Sequence, residues 1–561
     1  MTALLTDNLP LLAGAPNGIK QLRELILELA IRGKLLPQDP NDEPAIEILQ
    51  PIIEEKAHLV REGKLKKQKP SVNIGTVEKP FDFPKGWLPA YLTDIVAIVT
   101  DGDHQPPPKA VEGVPFLVIG NLNTGNIRFE GCRRVPHDYF DALDWGRKPC
   151  QGDILYTVTG SFGIPIVVDV DQPFCVQRHV AIIKTTKNLP PEYLRILLAS
   201  PYAKNYAALI ATGIAQKTVP LTGLRQLIVP LPPLAEQHRI VAKVDELMDL
   251  CDRLETQQTN VGNAHAQLVQ ALLDSLTQAS DATDFATNWQ RLAEHFHTLF
   301  TTEPSIGALK QTLLQLAVMG KLVPQDSADE SADKLLKRIS DHRSTYREKK
   351  QKSFADTTEV ERPFELPCQW VWTTLPAIGE LARGKSRHRP RNDPSLYAGG
   401  NVPLIQTGDV ARANGVVKTH SAMYNTKGVE QSRLWPAGTM CITIAANIAD
   451  SATLGFDACF PDSVVGFIPE FPELDVRYFE FFLRTAKSHL EDFAPSTAQK
   501  NINLEILGLL SVPLPPANEV RRIVAKVDQL MALCDQLKDR LTQARQMNEQ
   551  LASTLVEQAV A

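Results

Sequence analysis

The chain has 561 residues, 43% hydrophobic and 22% charged, with a net charge of −6. That length suits three or four units with cores of their own, and the acidic balance excludes a protein held to nucleic acid by bulk positive charge alone. No apolar run reaches membrane-spanning length, the N-terminal stretch lacks the basic start of a secretion signal, and eight scattered cysteines form no zinc-like cluster. A cytoplasmic protein with no structural metal is expected.

Residues 1–70 read as an N-terminal helical segment with helices at 19–33 and 44–64, and Gly33 suits the residue just past a helix end. From Phe81, Pro84 and Trp87 the texture changes. Short β-rich runs (FLVI, DILYTV, IPIVVDV, HVAIIK) alternate with Gly, Pro and Asn turns, and PEYLRILLAS at 191–200 reads as a helix, so 81–234 is expected to be a mixed α/β domain. A Pro-Pro pair then opens a central helical region, 235–352. Its apolar positions Ile240, Val244, Leu247, Cys251, Leu254, Val261, Leu268 and Leu272 follow the 3.5-residue seam of a coiled coil, and shorter helices are expected at 306–319 and 331–350. Residues 363–516 return to short strands (VPLIQTG, MCITIA, SVVGFI) with a helix at 475–486. The chain closes in a second seamed helix, 517–561, through Ile523, Val527, Leu530, Cys534, Leu537, Leu541, Ala544, Leu551 and Leu555.

This order is one unit written twice. VPLPPLAEQHRIVAKVDELMDLCDRLE at 229–255 returns as VPLPPANEVRRIVAKVDQLMALCDQLK at 512–538, identical at 19 of 27 positions. The helix-and-loop segment at 19–45 returns at 306–332. The stretches Phe81–Pro233 and Phe364–Pro516 are both 153 residues long, yet their interiors match only in patches such as AQKTV against AQKNI. A unit this long is no solenoid repeat. A shared scaffold with different surfaces implies one task performed on two different ligands.

Catalytic motifs are lacking. Gly379–Ser386 satisfies GxxxxGK[ST], but a phosphate loop must open a helix, and Pro390 and Pro394 oppose one. The segment reads better as a basic loop of Arg383, Lys385, Arg387, Arg389 and Arg391, suited to DNA phosphates or a guanine edge; a merely solvated charged loop is its rival. No methyltransferase, nuclease or hydrolase constellation is complete.

The duplicated PLPPLAEQHRIVAKVDELMDLCDRLE and LLQLAVMGKLVPQD segments around two divergent domains resemble the DNA-specificity subunit of type I restriction–modification systems, and the likeness covers essentially the whole chain. The resemblance implies a non-catalytic α+β protein: two mixed α/β target-recognition domains, separated by long antiparallel coiled-coil helices in a pseudo-twofold internal repeat. It also implies double-stranded DNA, two methyltransferase subunits and two restriction/translocase subunits as partners. S-adenosylmethionine would reside in the methyltransferase, ATP and magnesium in the restriction subunit, and no cofactor in this chain. A free-standing DNA-binding regulator or scaffold is the competing reading.

Loops rich in Gly and short polar residues let a backbone approach phosphates, while Gln, His and Arg reach base edges. On that ground the expected DNA contacts of the first domain are Asp101, His104, Gln105, Arg128, Arg133, Arg134, Thr159, Ser161, Arg178, Gln216 and Lys217. Those of the second are the five basic residues of the 383–391 loop with Thr407, Asn447, Gln499, Lys500 and Asn501. The repeated helical residues Arg239, Lys243, Asp245, Arg522, Lys526 and Asp528 are candidates for partner docking, with a solvated helix face as the alternative.

Overall fold

The structure, a computed structural model, describes residues 9–66, 79–104, 107–213, 216–346, 362–445, 448–492 and 502–560. The chain forms two units: Met1–Val261 with Ala544–Ala561, and Gly262–Gln543.

In the first unit, helix Gly18–Ile31 buries Leu22, Leu25, Ile26 and Leu29 along one stripe. It stops at Gly33, whose φ of 66° an L side chain rarely adopts. A Cβ at Gly33 would also lie 2.3 Å from Pro84, so the chain can turn here only because the side chain is missing. The Lys34 amide bonds back to the Leu29 carbonyl (2.9 Å), a turn that satisfies an orphan helix carbonyl. Helix Ile46–Arg61 follows.

The first α/β head opens and closes with one strand pair, Leu88–Tyr91 antiparallel to Ile228–Leu231, in the register Leu88↔Leu231. Between them lies a four-stranded sheet in the order Ile98–Asp101, Val180–Lys184, Ile154–Thr157, Pro165–Val167, antiparallel throughout. A three-stranded sheet orders Arg133–Val135, Val114–Leu117 and Cys175–Val176. Val, Ile and Leu dominate the central strands Ile154–Thr157 and Val180–Lys184 because both faces are covered. Helices Pro191–Ala199 and Pro201–Ile210 share the main core with helix Gly18–Ile31. Into the same core come Ile240, Val244, Leu247 and Cys251 from the start of the first long helix, Leu234–Thr277. Ala552 and Ala559 join them from the far end of the second, Ala517–Val560.

The second unit repeats the plan. Helix Glu303–Val318 ends at Gly320, φ 70°, against Pro367 and Trp370. Strand Val371–Thr374 pairs with Ser511–Leu514 in the register Val371↔Leu514. A five-stranded sheet orders Gly379–Arg383, Val464–Pro469, Met440–Thr443, Ser451–Leu454 and Val416–Val417, and a four-stranded one orders Ala422–Tyr424, Val402–Leu404, Ala458–Cys459 and Leu434–Trp435. Val416–Val417 and Leu434–Trp435 are additions of this head. A separate core joins Val269, Leu273 and Leu276 of the first long helix, Leu309, Leu313 and Leu316 of helix Glu303–Val318, and Cys534 of the second long helix. In the first unit the start of the first long helix shares a core with the end of the second, and in the second unit the end of the first packs with the middle of the second around Cys534.

The seam departs from a strict heptad. Val261, Leu268 and Leu551 are exposed, and the buried stripe passes instead through Val269, Leu273, Leu276 and Ala552. A straight helix of 3.6 residues per turn drifts off a 3.5-residue pattern, and each long helix also packs on a shorter one, which selects a different face. Helix Ala282–Glu294, capped by Asp281, is a further element within the central region.

Each head is fixed to its long helix by the same joint. Trp87, 7% exposed, donates from Nε1 to Glu236 Oε2 at 2.8 Å; Gln38 donates to Oε1 at 2.7 Å. Trp370 and Gln325 hold Glu519 in the same way at 3.0 and 2.7 Å. Burial pushes both carboxyl groups above their ordinary pKa, against the opposing pull of these hydrogen bonds. Tyr193 donates to the Pro230 carbonyl and Tyr478 to the Pro513 carbonyl, pinning a core helix to the closing strand in each head.

Candidate nucleic-acid interface

The first head gathers chemically active loops at one end of its four-stranded sheet. Strand Ile98–Asp101 ends there, Ile154–Thr157 turns there into Pro165–Val167, and Val180–Lys184 begins there. Asp101 accepts from, or shares a proton with, His104 Nε2 at 2.9 Å. Gly102 lets that loop lie against strand Cys175–Val176, since a Cβ would fall 1.9 Å from the Val176 carbonyl oxygen. Asp103 accepts from Arg147 (2.9 Å) and Tyr139 (3.0 Å), which fixes the loop from below. Ser161 and Arg178 are exposed on the neighbouring turns. The Gly160 amide bonds the Lys217 carbonyl at 3.0 Å, bringing Gln216 and Lys217 to the same edge, both exposed. Seven expected contacts, Asp101, His104, Thr159, Ser161, Arg178, Gln216 and Lys217, therefore converge from four separate segments.

One of these expectations needs correction. Thr159 is only 3% exposed, its hydroxyl lying between Thr218 Oγ1 (3.2 Å) and His179 Nδ1 (3.0 Å). It is part of the frame, because a side chain closed in on both sides has no face left for a ligand. His179, absent from the expected set, is half-buried at the same edge. Burial first, then Arg178 and His104, hold its pKa below the ordinary histidine value. Nothing in the run HVAIIK distinguished it from the first residue of a strand.

The other three arginines belong to the smaller sheet. Arg128 binds the Gly120 carbonyl (3.3 Å) and Asn123 (3.0 Å), and Arg134 binds the Gly113 carbonyl (2.8 Å), so both stitch loops together while remaining exposed. Arg133 pairs with Phe116 in register, is exposed, and makes no side-chain hydrogen bond among the described residues.

In the second head the corresponding end is basic. Strand Gly379–Arg383 runs into the loop at 384–391, whose backbone is seated by Lys385 N–H on the Phe460 carbonyl (3.2 Å) and by Arg387 N–H on Gln431 Oε1 (2.7 Å). The side chains of Arg383, Lys385 and Arg387 are exposed and unengaged among the described residues. Arg389 folds onto the Ser386 and His388 carbonyls (2.6 and 2.8 Å), and Arg391 is held bidentate by Asp462 (2.8 Å to each oxygen). His388 reaches Asp393 at 2.7 Å, and the Ser395 amide together with His388 keeps that carboxyl below its ordinary pKa. Thr407 is half-buried and opens the short helix Thr407–Arg412 at the end of strand Val402–Leu404. The residues resembling a phosphate loop form this strand: Gly379 pairs with Pro469, and a Cβ on Gly384 would strike the Phe460 carbonyl oxygen at 2.2 Å. No helix opens at Lys385, so the geometry of a nucleotide cradle is absent. Gln105, Asn447, Gln499, Lys500 and Asn501 lie outside the described residues.

The repeated helical residues have inward work. Arg239 clasps Asp42 (3.0 and 2.5 Å) and Arg522 binds Asp329 (2.7 Å), in each case holding the aspartate below its ordinary pKa. Asp245 accepts from Arg195 (3.3 Å), and Asp528 pairs with Arg477. Lys243 and Lys526 reach only Glu246 (2.7 Å) and Gln529 (3.2 Å) on their own helices.

By fold and site this is a two-headed recognition protein, with one α/β scaffold used twice and a different surface at the loop end of each copy. The comparisons agree. A family model described as "Type I restriction modification DNA specificity domain" matches residues 84–261 and 370–544. The type I restriction enzyme EcoEI specificity subunit of Escherichia coli is 34% identical, over 97% of this chain and 94% of the relative. The EcoAI specificity subunit of Escherichia coli is 32% identical over the same shares. A crystal structure of the HsdS subunit from Thermoanaerobacter tengcongensis covers 86% of this chain and 98% of its own at 18% identity, with a TM-score of 0.43. The chain belongs to the specificity subunits of type I restriction–modification systems. Such subunits are the non-catalytic DNA-recognition components of these complexes. Among the described residues no helix is long and apolar enough to cross a membrane, and no group of three or more His, Cys, Asp or Glu could hold a metal ion.

Proposed function

We propose that the two loop edges read the two unlike halves of one bipartite DNA site. The supporting observation is that the same end of the same sheet carries Asp101, His104, Ser161, Arg178, Gln216 and Lys217 in one head and unengaged Arg383, Lys385 and Arg387 in the other. The first set mixes acceptors with donors and suits hydrogen bonding to adenine and cytosine edges, while arginine reads guanine through O6 and N7. Exposed lysine and arginine also supply phosphate contacts, which position a protein without choosing sequence. Arg128, Arg133, Arg134, Arg389 and Thr407 would add phosphate contacts.

Each unit would receive a methyltransferase subunit, and restriction/translocase subunits would complete the complex in the cytoplasm. S-adenosylmethionine, ATP and magnesium belong to those partners. Lys243 and Lys526, paired only within their own helices, are the better docking candidates of the six.

The test is co-expression with the methyltransferase subunit, followed by mapping of N6-methyladenine with and without this chain. The expected result is methylation at one two-part sequence that vanishes without the chain. Methylation that persists, or that follows no two-part sequence, would defeat the proposal.

A further inference from the structure

The edge of the first head contains a hydroxyl relay that the second head lacks. Both heads share a backbone frame at this point. Val158 N–H bonds the His179 carbonyl (3.1 Å) and Val219 N–H bonds the Val158 carbonyl (2.8 Å). In the second head, Ile444 N–H bonds the Ser463 carbonyl (3.0 Å) and Ile502 N–H bonds the Ile444 carbonyl (3.1 Å). The strand registers Ile154↔Ile183 and Met440↔Phe467 place Thr159 opposite Ala445 and His179 opposite Ser463. The frame therefore closes in the second head without either side chain, and the relay of the first head is not required to close it.

The relay runs Thr218 Oγ1, Thr159 Oγ1, His179 Nδ1, at 3.2 and 3.0 Å. Thr159 has one hydroxyl hydrogen to place. If it goes to Thr218, Nδ1 must donate and Nε2 is left as an acceptor; if it goes to Nδ1, Nε2 carries the hydrogen and donates. The partner of one imidazole nitrogen thus decides what the other offers. Nε2 lies across the ring from Thr159, has no partner among the described residues, and belongs to a half-buried side chain flanked by Arg178 and the exposed His104. Burial, with Arg178 and His104 nearby, favours the neutral ring, the state in which the tautomer matters. Gly160, on the adjoining turn, has a backbone φ of 70°, and a Cβ there would come within 3.0 Å of Gln216 Nε2.

We propose that His179 is a base-reading side chain of the first head, and that the Thr159–Thr218 hydroxyl pair is the positioning element that selects the tautomer it presents. This rests on the assignment of the edge as DNA-facing and deepens it to a named residue. A major-groove edge offers the complementary group in either case, an acceptor such as adenine N7 or a donor such as the cytosine amine. Thr159 cannot touch DNA itself, so any effect it has on sequence choice must pass through His179.

The experiment uses the full chain assembled with its methyltransferase partner and a pool of randomised duplexes as the probe. Bound sequences are read for wild type, His179→Gln, Thr159→Val and Thr159→Ser. Val keeps the volume of Thr and removes only the hydroxyl; Ser restores the hydroxyl. The expected result is a loss of preference of about tenfold at one position of one half-site in both His179→Gln and Thr159→Val. The other half-site should be unchanged, and Thr159→Ser should behave as wild type. A Thr159→Val complex that retains wild-type preference, or that loses both half-sites alike, overturns the assignment of the relay. A wild type that selects no two-part sequence overturns instead the reading of the edge on which it rests.

Discussion

The joint that fixes each head to its helix and the loop edge at the sheet end follow opposite rules. At the joint, Trp87, Gln38 and Glu236 recur as Trp370, Gln325 and Glu519, with hydrogen bonds that agree within 0.2 Å. At the edge, Asp101 and His104 give way to a loop of arginines, and Thr159 and His179 to Ala445 and Ser463. A buried carboxylate with a tryptophan donor tolerates no change, since losing either partner leaves an unpaired polar group in the interior. An exposed loop end carries no such constraint. The fold thus separates what must stay the same from what is free to choose a ligand. Even the ion pairs show the division: Asp245 and Asp528 occupy matching helix positions, but one is gripped by Arg195 and the other by Arg477, from different turns of their core helices.

The harshest way to break the comparison is at the joint. Trp87→Ala should cost about 3–5 kcal/mol, as truncation of a buried aromatic does, and Trp370→Ala should cost the same within roughly 1 kcal/mol. Urea denaturation of the two variants measures this; markedly unequal losses would mean that the joints are not equivalent.

Glu480 offers a sharper contrast, because it has no acidic counterpart in the first head, where Arg195 stands at the matching position two residues beyond the buried tyrosine. Burial raises its pKa from the ordinary 4.5 to about 7, with Arg484 and Arg477 opposing. A folded-state pKa above the unfolded one means that the folded state holds the proton more tightly, so stability contributed below pH 4.5 is lost as pH rises toward 7. The loss is roughly 3 kcal/mol at most. Glu480→Gln should flatten this fall in denaturation midpoints taken at several pH values; a variant with the wild-type slope would refute it.

At the edge the effects are smaller and of another kind. Lys385→Ala and Arg387→Ala should each lower the slope of log affinity against log salt by about one unit if the residue contacts phosphate. If Arg387 reads a base instead, its removal should relax one position of one half-site by about 1–3 kcal/mol. Binding titrations across a salt series separate these outcomes. Least of all, Lys243→Ala and Lys526→Ala should change stability by under about 0.5 kcal/mol, and any loss of methyltransferase co-purification would then reflect docking rather than folding.

How much of this was legible in the sequence follows the same division. The duplicated joint was visible because invariant packing leaves identical strings such as VPLPP and RIVAKVD, and the order of helices and strand-rich domains followed from them. Asp101, His104, Gln216 and Lys217 were picked out from loop composition, whereas their convergence on one edge needed the strand order. The burial of Thr159 was not legible because it depends on what packs over the side chain, and nothing local singles out His179, which only a tertiary contact with Thr159 sets apart. The 3.5-residue repeat also placed the long-helix seam on Leu268 and Leu551, whereas the buried stripe runs through Val269, Leu273, Leu276 and Ala552.

The claim that identical joints carry exchangeable readers is tested most directly by replacing residues 88–231 with 371–514, joining matching strand ends at both borders. Methylation mapping of the co-expressed complex should then show a symmetric target, in which the half-site of the second head appears twice. A chimera that folds and still methylates the original asymmetric sequence would contradict the account.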